Sequence, residues 1–428
     1  MTLDRSQSPP FQAITEVRLP AMQSAMLANG LPIHWIGVPQ QPVMRIECIF
    51  NAGVWYENGQ PGAAFFAMKM LAEGTTQRSS AQISEYIDRY GAFLELNSGP
   101  DRASLVIYCL TRHLPSVLPL LKELLTESTF PQKELDDLRN ITLQNLRVNA
   151  EKNAYVAGVL FRQNLFGKEH PYGRSQQPEL VEQITRQTVV DYFDKAIRNR
   201  PFQILLAGQV GELEIGLIDK YLGALTILEP VVNNGISFSA ALPESVILAE
   251  KTESLQSSIR IGRRLFTRHH PDFFPMLLTN EVLGGYFGSR LMRNIREEKG
   301  FTYGISSNMV SFRNDGYFLI GTDVKKEFTQ QTLDEIRKEI HILQTQPVPA
   351  DELETVRNFM AGEFVGSLNT PFEIADRYKT ILLDGLPADF LTIYVANLRA
   401  VSSEAIQQMA KTYLSDELLS EVVVGVKE

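Results

Sequence analysis

The chain has 428 residues, 44% of them hydrophobic and 21% charged, enough for two or three domains with a large core, which excludes disordered and fibrous classes. Its 41 Lys and Arg against 50 Asp and Glu leave a net charge of -9, which argues against a nucleic-acid partner because phosphate binding needs a basic surface. Two cysteines, Cys48 and Cys109, exclude a disulfide framework and any multi-thiolate zinc or iron–sulfur arrangement.

The first thirty residues contain Pro9, Pro10 and Pro20 and no apolar run that reads as a signal peptide. No stretch of about 18 apolar residues follows that would span a membrane. The expectation is a cytoplasmic protein with no membrane partner. Residues 43–50 (VMRIECIF) read as a strand and 62–73 (GAAFFAMKMLAE) as a buried helix, apolar almost all round, stopped by Gly74-Thr75. Ser79-Ser80 can cap a helix over 80–90, with Glu85 near the place of a capping-box acid and Gly91 at its end. Strands are expected at 92–97 and 103–110, then long amphipathic helices at 114–127 and 131–153. After a loop carrying HPYGR (170–174), a helix at 187–198 and a strand at 202–207 close the half.

The second half repeats that order: strand 258–265, helices 271–284 and 288–298, strands 301–311 and 316–323, helices 328–344 and 349–368. A local motif supports a true repeat. Pro131, Glu134, Leu135, Arg139 and Asn140 return as Pro349, Glu352, Leu353, Arg357 and Asn358, each shifted by 218 residues. LLAG (205–208) is likewise echoed by VVVG (422–425). The reading is an α+β fold, an α/β sandwich of two similar lobes, each a mostly antiparallel sheet packed with helices. The expected boundaries are an N-terminal extension over 1–17, a first lobe over 18–225, a linker over 226–240 and a second lobe over 241–428. Pro230 and Asn233-Asn234-Gly235 supply turn chemistry in the linker.

Chemistry-bearing motifs are few. The six histidines never fall at the i, i+4 spacing that sets two imidazoles on one helix face. His269-His270 read as a polar approach to a helix, and His170 as a loop hydrogen-bonder, before either is a ligand. There is no nucleophile elbow, Walker loop or dinucleotide fingerprint. Gly284-Gly285-Tyr286-Phe287-Gly288 reads as a tight helix-to-helix turn, and Cys48 and Cys109 as core thiols. The segment IREEKGFTYGISS (295–307) stands out, because Arg296 in a last helical turn and Tyr303 on the following strand can converge, with Gly300 at the helix end. From the residues alone, a surface Arg and an interfacial Tyr are the favoured reading of it.

LANGLPIHWI (27–36), NAGVWYENGQPGAAFFAMKMLAEGT (51–75), DRYGAFLELNSGPDRASL (88–105), HPYG (170–173) and SRLMRNIREEKGFTYGISS (289–307) together resemble the pitrilysin/insulinase-type M16 metallopeptidase family, in its two-lobed subfamily that includes the mitochondrial processing peptidase. The resemblance covers about residues 18–428. It implies an inverted zinc motif, H-x-x-E-H, on the helix ending at Gly74-Thr75, and counting back places it at Phe65, Met68 and Lys69. A later Glu ligand should fall at Asn145, in LRNITLQNLRVN. None of these side chains offers zinc a ligand or water a general base. The chain is therefore expected to hold no cofactor of its own and to lack catalysis alone.

The R-x-x-x-G-x-x-Y pattern of metal-free subunits in paired bacterial members is matched by Arg296, Gly300 and Tyr303. The resemblance thus implies the non-zinc subunit of a heterodimer. Arg296 and Tyr303 would hold substrate and stabilise the transition state, and zinc would sit in a homologous partner. Unfolded peptides would be the substrates in a shared chamber, with a homodimer open to the isolated chain. A non-enzymatic peptide-binding or structural protein is the first alternative. A stand-alone peptidase using His269, His270 or His170 is the second.

Overall fold

The computed structural model describes residues 13–38, 41–230 and 243–427. Residues 1–12 of the expected extension, and the Asn233-Asn234-Gly235 turn, lie outside the described residues. The first half builds β1 (Gln23–Met26), β2 (Pro32–Gly37), β3 (Val43–Phe50), β4 (Phe93–Ser98), β5 (Ala103–Leu110) and β6 (Phe202–Gly208), in the order β1-β2-β6-β3-β5-β4. Its helices are α1 (Ala63–Lys69), α2 (Ser80–Arg89), α3 (Leu114–Glu127), α4 (Gln132–Ala150), α5 (Asn153–Phe166), α6 (Pro178–Glu182), α7 (Arg186–Ala196) and α8 (Glu212–Ile218). The second half builds β7 (Val246–Glu250), β8 (Gln256–Leu265), β9 (Thr302–Ser311), β10 (Gly316–Lys325) and β11 (Ser420–Gly425), in the order β7-β11-β8-β10-β9. With it go α9 (Phe273–Asn280), α10 (Thr329–Thr345), α11 (Ala350–Gly366), α12 (Pro371–Asp384), α13 (Tyr394–Ala400) and α14 (Ser403–Tyr413). Pairing is antiparallel except β2 with β6 and β7 with β11. The α+β reading of two similar, mostly antiparallel lobes holds.

Each sheet is buried on both faces, and each half covers one face of the other. On β3, Met44, Ile46, Cys48 and Phe50 point into a core with Phe66 of α1, Leu121 of α3 and Phe193 of α7. The opposite face presents Ile36, Ile49, Leu205 and Ala207 to Ile374 and Ala375 of α12, a helix of the second half. Reciprocally, α5 of the first half lays Ala157, Phe161 and Leu165 against Val422 and Val424 of β11. Two-sided burial is why VMRIECIF, LLAG and VVVG read as near-continuous apolar runs.

The repeated motif has a structural cause. Pro131 and Pro349 start α4 and α11 in the same conformation, φ -62° and ψ 144° against φ -55° and ψ 147°. Two turns in, Arg139 donates to the Ile184 carbonyl at 3.1 Å and Arg357 to the Val401 carbonyl at 2.5 Å. Each carbonyl immediately precedes the N-cap residue, Thr185 or Ser402, of the next packed helix, α7 or α14. The arginine thus pins one helix start to another in both halves.

Three expectations are corrected. The capping-box partner of Ser79 is Gln82, whose side chain accepts from the Ser79 N–H, while Glu85 pairs with Arg89. The helix expected over 131–153 ends at Ala150, and a new one, α5, begins at Asn153. Helix α12 and strands β1 and β7 were not legible either. The helix expected over 288–298 is α-like only at its start and widens into π turns from Met292 to Glu298. Cys48 and Cys109 are buried, and burial pushes both thiols up, Cys109 to about 11.

Candidate functional site

The metal-ligand positions implied by the resemblance sit on α1 and α4. Phe65 is half-buried and lines a cavity of about 180 Å³ with Glu57, Ser98, Arg174 and Leu180. Met68 is fully buried in the core. Lys69 is exposed and donates its ammonium to the Leu96 carbonyl on edge strand β4 at 3.1 Å. Asn145 is exposed on α4. An arene, a thioether, a cation and an amide do not fit zinc, and Met68 cannot act as a base. Among the described residues, no group of three His, Cys, Asp or Glu is arranged to hold a metal ion.

The histidines have other work. His170 Nδ1 accepts from the Tyr172 N–H at 3.1 Å and its ring stacks on Phe166. Tyr172 of the HPYG loop then joins the halves: its hydroxyl donates to Asp101 at 2.7 Å, and its ring stacks on Phe312 at 4.2 Å. His269 Nε2 bonds the Asp384 carbonyl oxygen at 2.8 Å. His270 accepts from the Asp272 N–H and stacks on Phe266.

Arg296 and Tyr303 are brought together. The Arg296 Cζ lies 5.7 Å from the Tyr303 ring centroid and 4.5 Å from that of Phe287. Irregular backbone aims all three side chains. Arg296 rides on the π turns, closed by the Lys299 N–H to the Asn294 carbonyl at 3.1 Å and the Phe301 N–H to the Ile295 carbonyl at 3.0 Å; such widened turns recur at functional sites. Gly300, at φ +68°, ends the run as expected for a C′ glycine. Tyr303 lies in a β-bulge: Ile305 pairs with Thr322 and Thr302 with Val324, so Tyr303 and Gly304 face Asp323 alone. The bulge helps turn Tyr303 out, leaving its side chain 92% exposed at the start of edge strand β9.

Phe287 comes from the glycine turn. A Cβ on Gly284 would meet the Ser307 amide nitrogen of β9 at 2.7 Å, so only glycine lets the turn lie this close to the strand. Below, Asn294 donates to Glu335 at 2.9 Å and Glu339 at 2.7 Å on α10, anchoring the π segment. Sequence reasoning took the glycine turn as a connector and missed Phe287; the available signal was a bulky aromatic between glycines. It also missed Glu281, at the same turn, whose carboxyl is pushed up to about 7 by burial and then by the charge of Glu363.

Comparison with known proteins fits this picture. The family model described as insulinase (peptidase family M16) matches residues 37–169, and the one described as peptidase M16 inactive domain matches residues 183–360. An uncharacterized zinc protease, YmxG, of Bacillus subtilis is 24% identical over 410 residues, 91% of this chain and 95% of that one. The crystal structure of a peptidase M16 inactive domain from Pseudomonas fluorescens superposes with a TM-score of 0.86 at 22% identity, over 95% of this chain and 98% of that one. The periplasmic protease PqqL of Escherichia coli shares the fold at a TM-score of 0.79 and 16% identity; all of this chain is covered, and 48% of PqqL. With both family models matched in succession and the fold shared along nearly its whole length, the chain belongs to peptidase family M16.

Proposed function

We propose that this chain is the metal-free subunit of a paired M16-type zinc metallopeptidase, contributing substrate-binding and transition-state-stabilising groups to a chamber that hydrolyses unfolded peptides. The observation that carries this reading is the Arg296–Tyr303 contact, kept on an exposed edge while α1 has lost every ligand position. The zinc, and the water it activates, would belong to a homologous partner. In this chain, the Tyr303 hydroxyl is free to donate to oxyanion charge developing on a peptide carbonyl. Arg296 is placed to hold a neighbouring carbonyl or carboxylate. The edge position of β9 suits an extended peptide, which gains affinity through main-chain hydrogen bonds.

The test is hydrolysis of an unstructured peptide library by the chain alone, by a zinc-loaded H-x-x-E-H homologue from the same organism, and by the two mixed. The expected result is activity that needs both chains. A mixture no more active than the zinc chain by itself would leave a non-enzymatic peptide-binding role as the surviving reading.

A further inference from the structure

We infer that Phe287, Arg296 and Tyr303 together form a receptor for a carboxylate carried on an apolar residue of an unfolded peptide. This rests on the reading of Arg296 and Tyr303 above, and adds a third residue and the chemistry of the ligand. Arg296 is half-buried, yet it has no hydrogen bond or ion pair among the described residues; its neighbours are two aromatic rings, at 4.5 Å and 5.7 Å. Half-buried arginines elsewhere in this lobe use their donors: Arg290 grips Glu352 with two bonds of 2.9 Å and 2.7 Å, Arg268 holds Asp384 at 2.8 Å, and Arg263 donates to the Arg264 and Tyr413 carbonyls. Rings hold a guanidinium in place without consuming its N–H donors. Those donors match a planar carboxylate, for which a weakly hydrated guanidinium is better suited than an ammonium.

The rings themselves are the second observation, because they have surface beyond their contact with Arg296: Phe287 is 64% exposed and Tyr303 is 92% exposed among the described residues. They offer an apolar rim beside the cation and a phenolic donor at its edge. Glu297 and Glu298 follow on the same exposed segment, which disfavours a ligand bearing several negative charges and favours a single carboxylate. Two sources supply that chemistry: the C-terminal carboxylate of a peptide ending in an apolar residue, or an acidic side chain beside one.

The experiment is binding to the intact isolated chain, by fluorescence anisotropy. The probe is one unstructured peptide ending in Leu, used as free acid, as C-terminal amide, and as an amide with an internal Asp-Leu pair. The expected result is binding of the free acid, the Asp-Leu amide, or both, at least about tenfold tighter than the plain amide. Preference for the free acid alone assigns the receptor to chain ends, and preference for both assigns it to any carboxylate. Phe287→Leu and Arg296→Lys should each erase the preference at unchanged melting temperature, while Phe287→Tyr keeps it. Equal binding of all three peptides, or no binding, overturns the receptor; full preference retained in Phe287→Leu overturns the part given to Phe287. Because binding is read without a partner and hydrolysis only with one, failure here is separable from failure of the paired-peptidase reading.

Discussion

Arg296 is a cation held by rings where nearby Arg290 is held by the Glu352 carboxylate, and that difference decides what substitutions there do. An ammonium at this position carries the charge but not the planar fork, so Arg296→Lys is not a conservative change. Glu281, one turn from Phe287, makes a second residue-scale prediction. Its carboxyl is half-buried, and that burial, with the charge of Glu363, pushes it up to about 7 in the folded chain from an ordinary 4.5. Below about pH 4.5 it is neutral in both states and costs nothing; as pH rises from about 4.5 to about 7 the unfolded chain ionises it while the folded chain still holds the proton, and stability falls. Above pH 7 the penalty is full, of order 1 kcal/mol once the part still in contact with water is discounted. Glu281→Gln should therefore raise the melting temperature at pH 8 and leave it nearly unchanged at pH 4. A gain equal at both pH values would show that the charge is not the cause.

Helices with one wet face and one dry face were legible in the sequence, and those used on two sides were not. α3 and α10 show their buried stripe plainly, whereas NAYVAGVLFRQNLF of α5 spreads apolar residues round the helix because it serves both halves. The repeat was legible because Arg139 and Arg357 do the same job at the same offset. The resemblance alone assigns Phe65, Met68 and Lys69 by counting from Gly74-Thr75, and no such count reveals the Lys69 bond to Leu96, since it depends on α1 lying against β4. The Phe287–Arg296 contact was hidden by eight intervening residues and a turn whose geometry only glycine permits. For α5 the account is testable: Phe161, 1% exposed, fills the space between α5 and β11. Phe161→Ala should cost about 3–5 kcal/mol in denaturant unfolding; a loss under 1 kcal/mol would mean that α5 is not seated on the second sheet.

Across the whole molecule, the exchanged helices make the two halves one body. Arg45 on β3 is buried, donates to Asp376 on α12 at 2.7 Å and to Glu47 at 2.7 Å, and Glu47 is also paired with Lys379 of α12 at 3.2 Å. Such a buried cluster adds little net stability, but breaking it leaves a charge without its partner. With α5 and α12 crossing over and Tyr172 bridging Asp101 and Phe312, neither half has a complete core alone. Denaturation followed by tryptophan fluorescence and by circular dichroism should give one coincident transition; two separated transitions would show independent lobes. A single rigid body is also what the proposed pairing needs, if this chain is to present Arg296 and Tyr303 to a site completed by another chain.

That presentation is best tested by kcat/KM for peptide hydrolysis by the reconstituted pair, comparing wild type with Tyr303→Phe and Arg296→Ala in this chain. Loss of an oxyanion donor costs about 10²–10³-fold, so Tyr303→Phe should fall by that order mainly through kcat, and Arg296→Ala by at least tenfold. Unchanged kcat/KM in both variants, with the pair still assembled, would contradict a role for these two residues and leave this chain a scaffold.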